Sequence, residues 1–100
     1  MRDAFEKRRN LGENLISLWN RADLVHPDGA FYFFVNVEKY YNKQIPDSLK
    51  LCEWLLEKAK VATVPGAAFG NDKFIRLSYA VSEKTLEAAL TAIGNCLNEL

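Results

Sequence analysis

The sequence predicts an α+β fold, a small and mostly antiparallel sheet with helices packed against it. Three observations carry that expectation. Apolar residues recur at helical spacing over residues 2–19, 48–60 and 83–99. Between those segments lie β-type runs at 30–37, 61–64 and 74–80, with room for a short one at 23–26. Turn signals separate the pieces, with Pro27-Asp28-Gly29 before one run and Pro65-Gly66 after another. Proline presets φ, and glycine permits the positive φ that tight turns need.

The first helix places Ala4, Phe5, Leu11, Leu15, Ile16 and Trp19 near one stripe, opposite Glu6, Lys7, Arg9 and Glu13. No clear cap precedes it, as though the chain enters partway along a longer helix. Gly12 weakens the pattern. Along the run 30–37, Phe31, Phe33, Val35 and Val37 form an apolar face. Ala30, Tyr32, Phe34 and Asn36 form a mixed one. A strand apolar on both faces calls for cover on both. Residues 38–47 read as a polar loop. Asp47 or Ser48 can cap the next helix, whose stripe is Leu49, Cys52, Leu55, Leu56 and Ala59. Ser82 suits the N-cap of the last helix, where Leu86, Ala89, Leu90, Ile93, Leu97 and Leu100 repeat at helical spacing. Gly94 within that helix costs roughly 1 kcal/mol relative to alanine and points to close helix–sheet contact.

One hundred residues suit a single domain, 1–100, able to bury a core without disulfides or metals. Thirteen basic and thirteen acidic residues give zero net charge, which argues against nucleic-acid binding through a bulk basic footprint. No apolar run is long enough to span a bilayer, and the acid-containing N-terminus lacks a signal-peptide core. Cys52 and Cys96 fall in helical patterns and read as buried or semi-buried thiols of a cytoplasmic protein. With one histidine and no close Cys/His spacing, no metal site is expected.

The chemical interest centres on residues 61–80. Alternation puts Ile75, Leu77 and Tyr79 on a core face, and Phe74, Arg76 and Ser78 on the other. Arg76 is then a permanent cation among apolar neighbours, with a planar fork that can grip a carboxylate through two parallel hydrogen bonds. A solvated face or a structural ion pair are its plainer alternatives. The loop 65–70, with Pro65, Gly66, Phe69 and Gly70, has small residues that allow close backbone approach. A simple strand connection accounts for it equally well. It matches neither a Walker loop nor a dinucleotide fingerprint. His26 reads as a surface or capping residue. Tyr40, Tyr41 and Trp54 suit an interface or ordinary packing alike. No nucleophile has a base in fixed relation to it, and no pair of carboxylates suggests acid–base work, so no catalytic residue is assigned.

Taken together, Pro27-Asp28-Gly29-Ala30-Phe31-Tyr32, Leu55-Leu56-Glu57-Lys58-Ala59-Lys60-Val61-Ala62, Val64-Pro65-Gly66-Ala67-Ala68-Phe69-Gly70 and Ile75-Arg76-Leu77-Ser78-Tyr79-Ala80 form a familiar series. In this order the chain resembles the C-terminal small domain of class I aminotransferases, the aspartate-type branch of the fold-type I pyridoxal-phosphate enzymes. The resemblance implies that Arg76 binds the α-carboxylate of the amino-acid or 2-oxo-acid substrate. It also implies that Pro65, Gly66, Phe69 and Gly70 lie near the active-site mouth, and that small-domain movement excludes water.

The family's Schiff-base lysine and its other cofactor-binding residues lie in the large domain, and no lysine here sits in a matching motif. Asn71-Asp72-Lys73 replaces the glycine-rich run that often precedes the arginine strand. The resemblance therefore implies pyridoxal phosphate in a full-length parent, none on this chain alone, and no activity without the missing large domain. Faces left uncovered, with Phe5, Phe34, Phe69 and Phe74 as candidates, predict a homo-oligomer. The rival expectation is a free-standing α+β binding module without catalysis.

Overall fold

The computed structural model describes residues 2–25 and 32–100, and of residues 2–5 the backbone alone. The expected turn 27–29, His26, Phe31 and the Phe5 side chain lie outside what is described. The elements run α1 (Arg2–Ile16), β1 (Asp23–Val25), β2 (Tyr32–Asn36), α2 (Ser48–Lys58), β3 (Val64–Pro65), β4 (Phe74–Ser78) and α3 (Glu83–Leu97). Short 3₁₀ turns at Glu38–Tyr40 and Gly66–Phe69 complete them. The four strands form one antiparallel sheet in the order β1-β2-β4-β3. The α+β class read from the sequence is the class observed.

Register decides which residues share a face. Phe33 stands opposite Leu77 and Val35 opposite Ile75, and all four are buried. Cross-strand pairs of this kind stabilise a sheet by roughly 0.2–1 kcal/mol each. Ile16 of α1, Leu51 and Leu55 of α2, and Leu86, Leu90, Ile93 and Leu97 of α3 join them in one apolar cluster. Both expected helix caps form where needed. The Asp47 carboxylate accepts from the Lys50 N–H at 2.9 Å, and the Ser82 hydroxyl accepts from the Thr85 N–H at 3.1 Å. Each such cap stabilises its helix by about 1 kcal/mol.

Several boundaries differ from the sequence reading. The first helix ends at Ile16, and Trp19 reaches the core from the turn that follows. The expected strand at 61–64 shrinks to Val64–Pro65. Only these two residues pair with β4, opposite Arg76 and Ile75. The chain leaves α2 through Lys60 in the left-handed region, with φ of 61°, and residues 61–63 join no partner strand among the described residues. Within the polar loop at 38–47, Glu38–Tyr40 coils into a 3₁₀ turn that buries Tyr40. Leu49 and Leu56, expected in the α2 stripe, are each 54% exposed. Cys52 and Leu55 of that stripe are buried as expected, and Leu51 joins them.

The two helix glycines are notches for rings. A Cβ on Gly12 would fall 2.2 Å from the Phe33 ring. A Cβ on Gly94 would fall 2.6 Å from Nε1 of Trp19. The close contact expected at Gly94 is therefore with the Trp19 indole rather than with the sheet. The indole Nε1–H donates to the Leu90 carbonyl at 3.1 Å, which satisfies it inside the core.

Candidate functional site

The sheet has a second face, and the helices do not supply its chemistry. Tyr32 and Phe34 of β2 alternate away from the buried Phe33 and Val35, as Arg76 of β4 alternates away from Ile75 and Leu77. Arg76 stands opposite Phe34 on one side and Val64 on the other. Its guanidinium carbon lies 4.4 Å from the centre of the Tyr32 ring and 5.4 Å from that of Phe69. The Phe69 ring meets Phe34 edge-on, at 5.6 Å and 84°. Ring faces attract a guanidinium by about 0.5–2 kcal/mol, more as water is excluded.

The rings do not satisfy every donor of Arg76. Its Nε is buried and, among the described residues, has no hydrogen-bond partner. No ion pair to it is formed among them either. A buried donor left without an acceptor costs about 1–3 kcal/mol. An incoming carboxylate would recover that cost through the same planar fork. The arrangement is that of a half-buried cation whose Nε is shielded from water and has no acceptor among the described residues.

The loop 65–70 forms the wall beside it. Pro65 pairs with Ile75 at the end of β3. Gly66 is buried where no side chain fits, since a Cβ there would lie 1.9 Å from the Asn71 carbonyl oxygen and 2.2 Å from that of Phe74. Gly70 ends the 3₁₀ turn at φ of 86°, a conformation open to glycine at no steric cost. Phe69 projects from this turn and is 38% exposed. Arg76 and Phe69 are thus brought together, while Pro65, Gly66 and Gly70 shape the backbone that carries Phe69.

Three participants escaped the sequence reading. The alternation places Tyr32 on a mixed face, and the β2–β4 register that sets it beside Arg76 has no signal in the local pattern. Ser48 had been considered only as a cap. It is fully buried, its hydroxyl donates to Oδ1 of Asp72 at 2.7 Å and accepts from the Ala67 N–H at 3.1 Å. Asp72 also receives the Ser48 N–H at 3.1 Å. Nearby, the Tyr41 hydroxyl donates to the Asp72 carbonyl. Burial, reinforced by the Asp72 carboxylate, pushes the Tyr41 phenol well above its ordinary range.

The covalent hold of an aldehyde cofactor needs a lysine amine in a desolvated pocket. Every lysine of the chain is exposed, so these residues do not fit that requirement. Among the described residues no cluster of acids, cysteines or histidine suits a metal ion. No helix among them is long and apolar enough to cross a membrane.

A family model described as aminotransferase class I and II matches residues 1–93. A probable aspartate/prephenate aminotransferase of Aquifex aeolicus is 47% identical over 100 residues, covering 100% of this chain and 25% of that protein. An aspartate aminotransferase of Pinus pinaster is 41% identical, covering 94% of this chain and 20% of that protein. Among solved structures, the aspartate aminotransferase of Rhizobium meliloti superposes with a TM-score of 0.89 at 37% identity, over 96% of this chain and 26% of that one. The aromatic aminotransferase of Pyrococcus horikoshii gives 0.88 at 34%, over 99% and 26%. The chain spans about a quarter of the length of the curated relatives it matches.

Proposed function

The chain belongs to the class I and II aminotransferase family, and on that premise we propose that Arg76 anchors the α-carboxylate of an amino-acid or 2-oxo-acid substrate in an aspartate-type parent enzyme. The observation that carries this reading is the buried Nε of Arg76, without a partner among the described residues, beside the rings of Tyr32 and Phe69. A carboxylate bound there supplies an acceptor to a guanidinium whose Nε is already shielded from water. Holding a substrate in one orientation is worth on the order of 7–11 kcal/mol at its upper limit, and a bidentate grip is one way of achieving it.

The parent uses pyridoxal phosphate, held by residues outside this chain. The isolated chain is inactive and binds no cofactor, in keeping with its exposed lysines. The match to about a quarter of each relative supports a small domain over a free-standing module. Exposed Tyr32 and Phe69 then belong to a face that the missing large domain covers, and the chain by itself self-associates through it. Two free thiols, Cys52 and Cys96, suit a cytoplasmic parent.

The test is Arg76→Lys in the full-length parent. Lysine keeps the charge and loses the fork. We expect kcat/KM to fall by about 10²–10³-fold, or roughly 3–4 kcal/mol, with the denaturation midpoint almost unmoved. An unchanged kcat/KM would remove Arg76 from the site. Mixing the chain alone with pyridoxal phosphate should give no stoichiometric imine absorbance that survives dialysis.

A further inference from the structure

We propose that Ser48 and Asp72 are positioning residues for the Arg76 guanidinium, acting through the Gly66–Phe69 turn and the Phe69 ring. This rests on the reading of Arg76 as a carboxylate anchor. The turn already closes on itself: the Asn71 N–H donates to the Gly66 carbonyl at 2.9 Å and the Gly70 N–H to that of Ala67 at 3.3 Å. Closing the loop therefore does not require Ser48. What Ser48 adds is attachment. Its hydroxyl takes the Ala67 N–H on one side and gives its own proton to Asp72 on the other. Ala67 and Asp72 bracket Phe69 in the chain, so both flanks of that residue converge on one buried side chain at the first turn of α2.

Ser48 is the one fully buried polar side chain among the described residues. A hydroxyl buried so completely is costly unless bonded, and here both its donor and its acceptor are used. The linkage then reaches Arg76 by contact. Phe69 rests edge-on against Phe34 and lies beside the guanidinium. With Nε lacking an internal acceptor, no directional bond among the described residues fixes that nitrogen. Ring contacts set the plane of the fork, and the turn sets the ring. Geometry matters at this level, since a misplacement of about 1 Å can cost roughly 10²-fold in rate.

The experiment uses the 100-residue chain and records the Arg76 Nε–H resonance by nitrogen-edited NMR. Spectra of Ser48→Ala, Asp72→Ala and Asp72→Asn are compared, and each is titrated with succinate. The Phe69 ring should give the Arg76 signal a distinct position. We expect Ser48→Ala and Asp72→Ala to move it toward that of a free arginine side chain and weaken the succinate response. Asp72→Asn keeps an acceptor oxygen and should restore the native position. If Ser48→Ala fails to fold, Asp72→Ala carries the test: it leaves the Phe69 ring in place, removes the acceptor of the Ser48 hydroxyl and N–H, and should move the signal in the same direction. A native Arg76 resonance in folded Ser48→Ala or folded Asp72→Ala overturns the proposal, whatever happens to the melting temperature. A native chain that ignores succinate, with the resonance still moved by Ser48→Ala, overturns the carboxylate reading and leaves the coupling standing.

Discussion

Arg21 and Arg76 each hold a guanidinium beside a tyrosine ring, 4.8 Å from the centre of Tyr40 and 4.4 Å from that of Tyr32. Around Arg21 the chain has supplied acceptors. Its Nη1 donates to the Lys39 carbonyl at 3.2 Å and its Nη2 to the Leu100 carbonyl at 2.5 Å. Its backbone N–H donates to the Tyr40 hydroxyl at 2.8 Å, which in turn donates to Asn20 at 3.0 Å. The result ties the end of α1, the Glu38–Tyr40 turn and the C-terminal end of the chain into one node. Around Arg76 the rings are present, and its Nε has no acceptor among the described residues. The same residue type on the same kind of aromatic support is fully engaged with backbone carbonyls in one region, while in the other its Nε lacks an acceptor among the described residues. The partners of its N–H groups, rather than its burial, tell the two apart.

The largest effect should come from the wall beside Arg76. Gly66→Ala drives a methyl group into two backbone carbonyls that cannot rotate away. We expect a loss of about 3 kcal/mol in urea denaturation. A loss below about 1 kcal/mol would mean that the turn yields and is a poor support for Phe69.

Arg21→Met should cost about 2 kcal/mol by the same measurement, because two charge-assisted bonds and a ring contact are lost together. Tyr40→Phe should cost about 1–2 kcal/mol, since the Arg21 N–H and the Asn20 side chain lose a partner in a mostly buried place. Arg76→Met should change stability by no more than about 0.5 kcal/mol, or raise it, as an apolar group replaces a buried donor that has no acceptor among the described residues. If Arg76→Met proves as costly as Arg21→Met, the contrast between the regions fails.

The smallest effect is electrostatic and appears only at high pH. The folded state holds the Tyr41 phenol above its ordinary value near 10. The associated stability is complete below about pH 10 and is lost as pH rises through the folded-state value. An absorbance titration of phenolate should show a late step that Tyr41→Phe removes. A Tyr41 that ionises with free tyrosine would mean that Asp72 and the buried surroundings do not act on it.

The contrast between the arginines also marks what the sequence could disclose. Alternation was enough to place Ile75 and Leu77 inside and Arg76 outside, because strand faces follow from a period of two. Helical spacing located α1, α2 and α3 for the same kind of reason. The strand expected at 61–64 is confined to Val64–Pro65 because only those residues meet β4, and cross-strand pairing leaves no mark in the residue pattern. Leu49 looked like core because leucine at helical spacing usually is, and only packing shows that α2 turns it outward. At the candidate site, Arg76 and Phe69 were visible from their own segments. Tyr32, Ser48 and Asp72 were not, since their parts depend on register and on contacts between residues 24 positions apart. No local pattern encodes those.

The notches at Gly12 and Gly94 have a mechanical consequence. A helix lying on smooth leucine surfaces can slide by a turn and trade one set of contacts for a similar one. Here a slip of one turn, about 5.4 Å, would bring the Trp19 indole from Gly94 toward Leu90 or Asn98, where a side chain occupies the space. It would also part Phe33 from the recess at Gly12. Each glycine gives up roughly 1 kcal/mol of helix propensity, and the two act as keyways that fix the axial setting of α1 against α3 and the sheet.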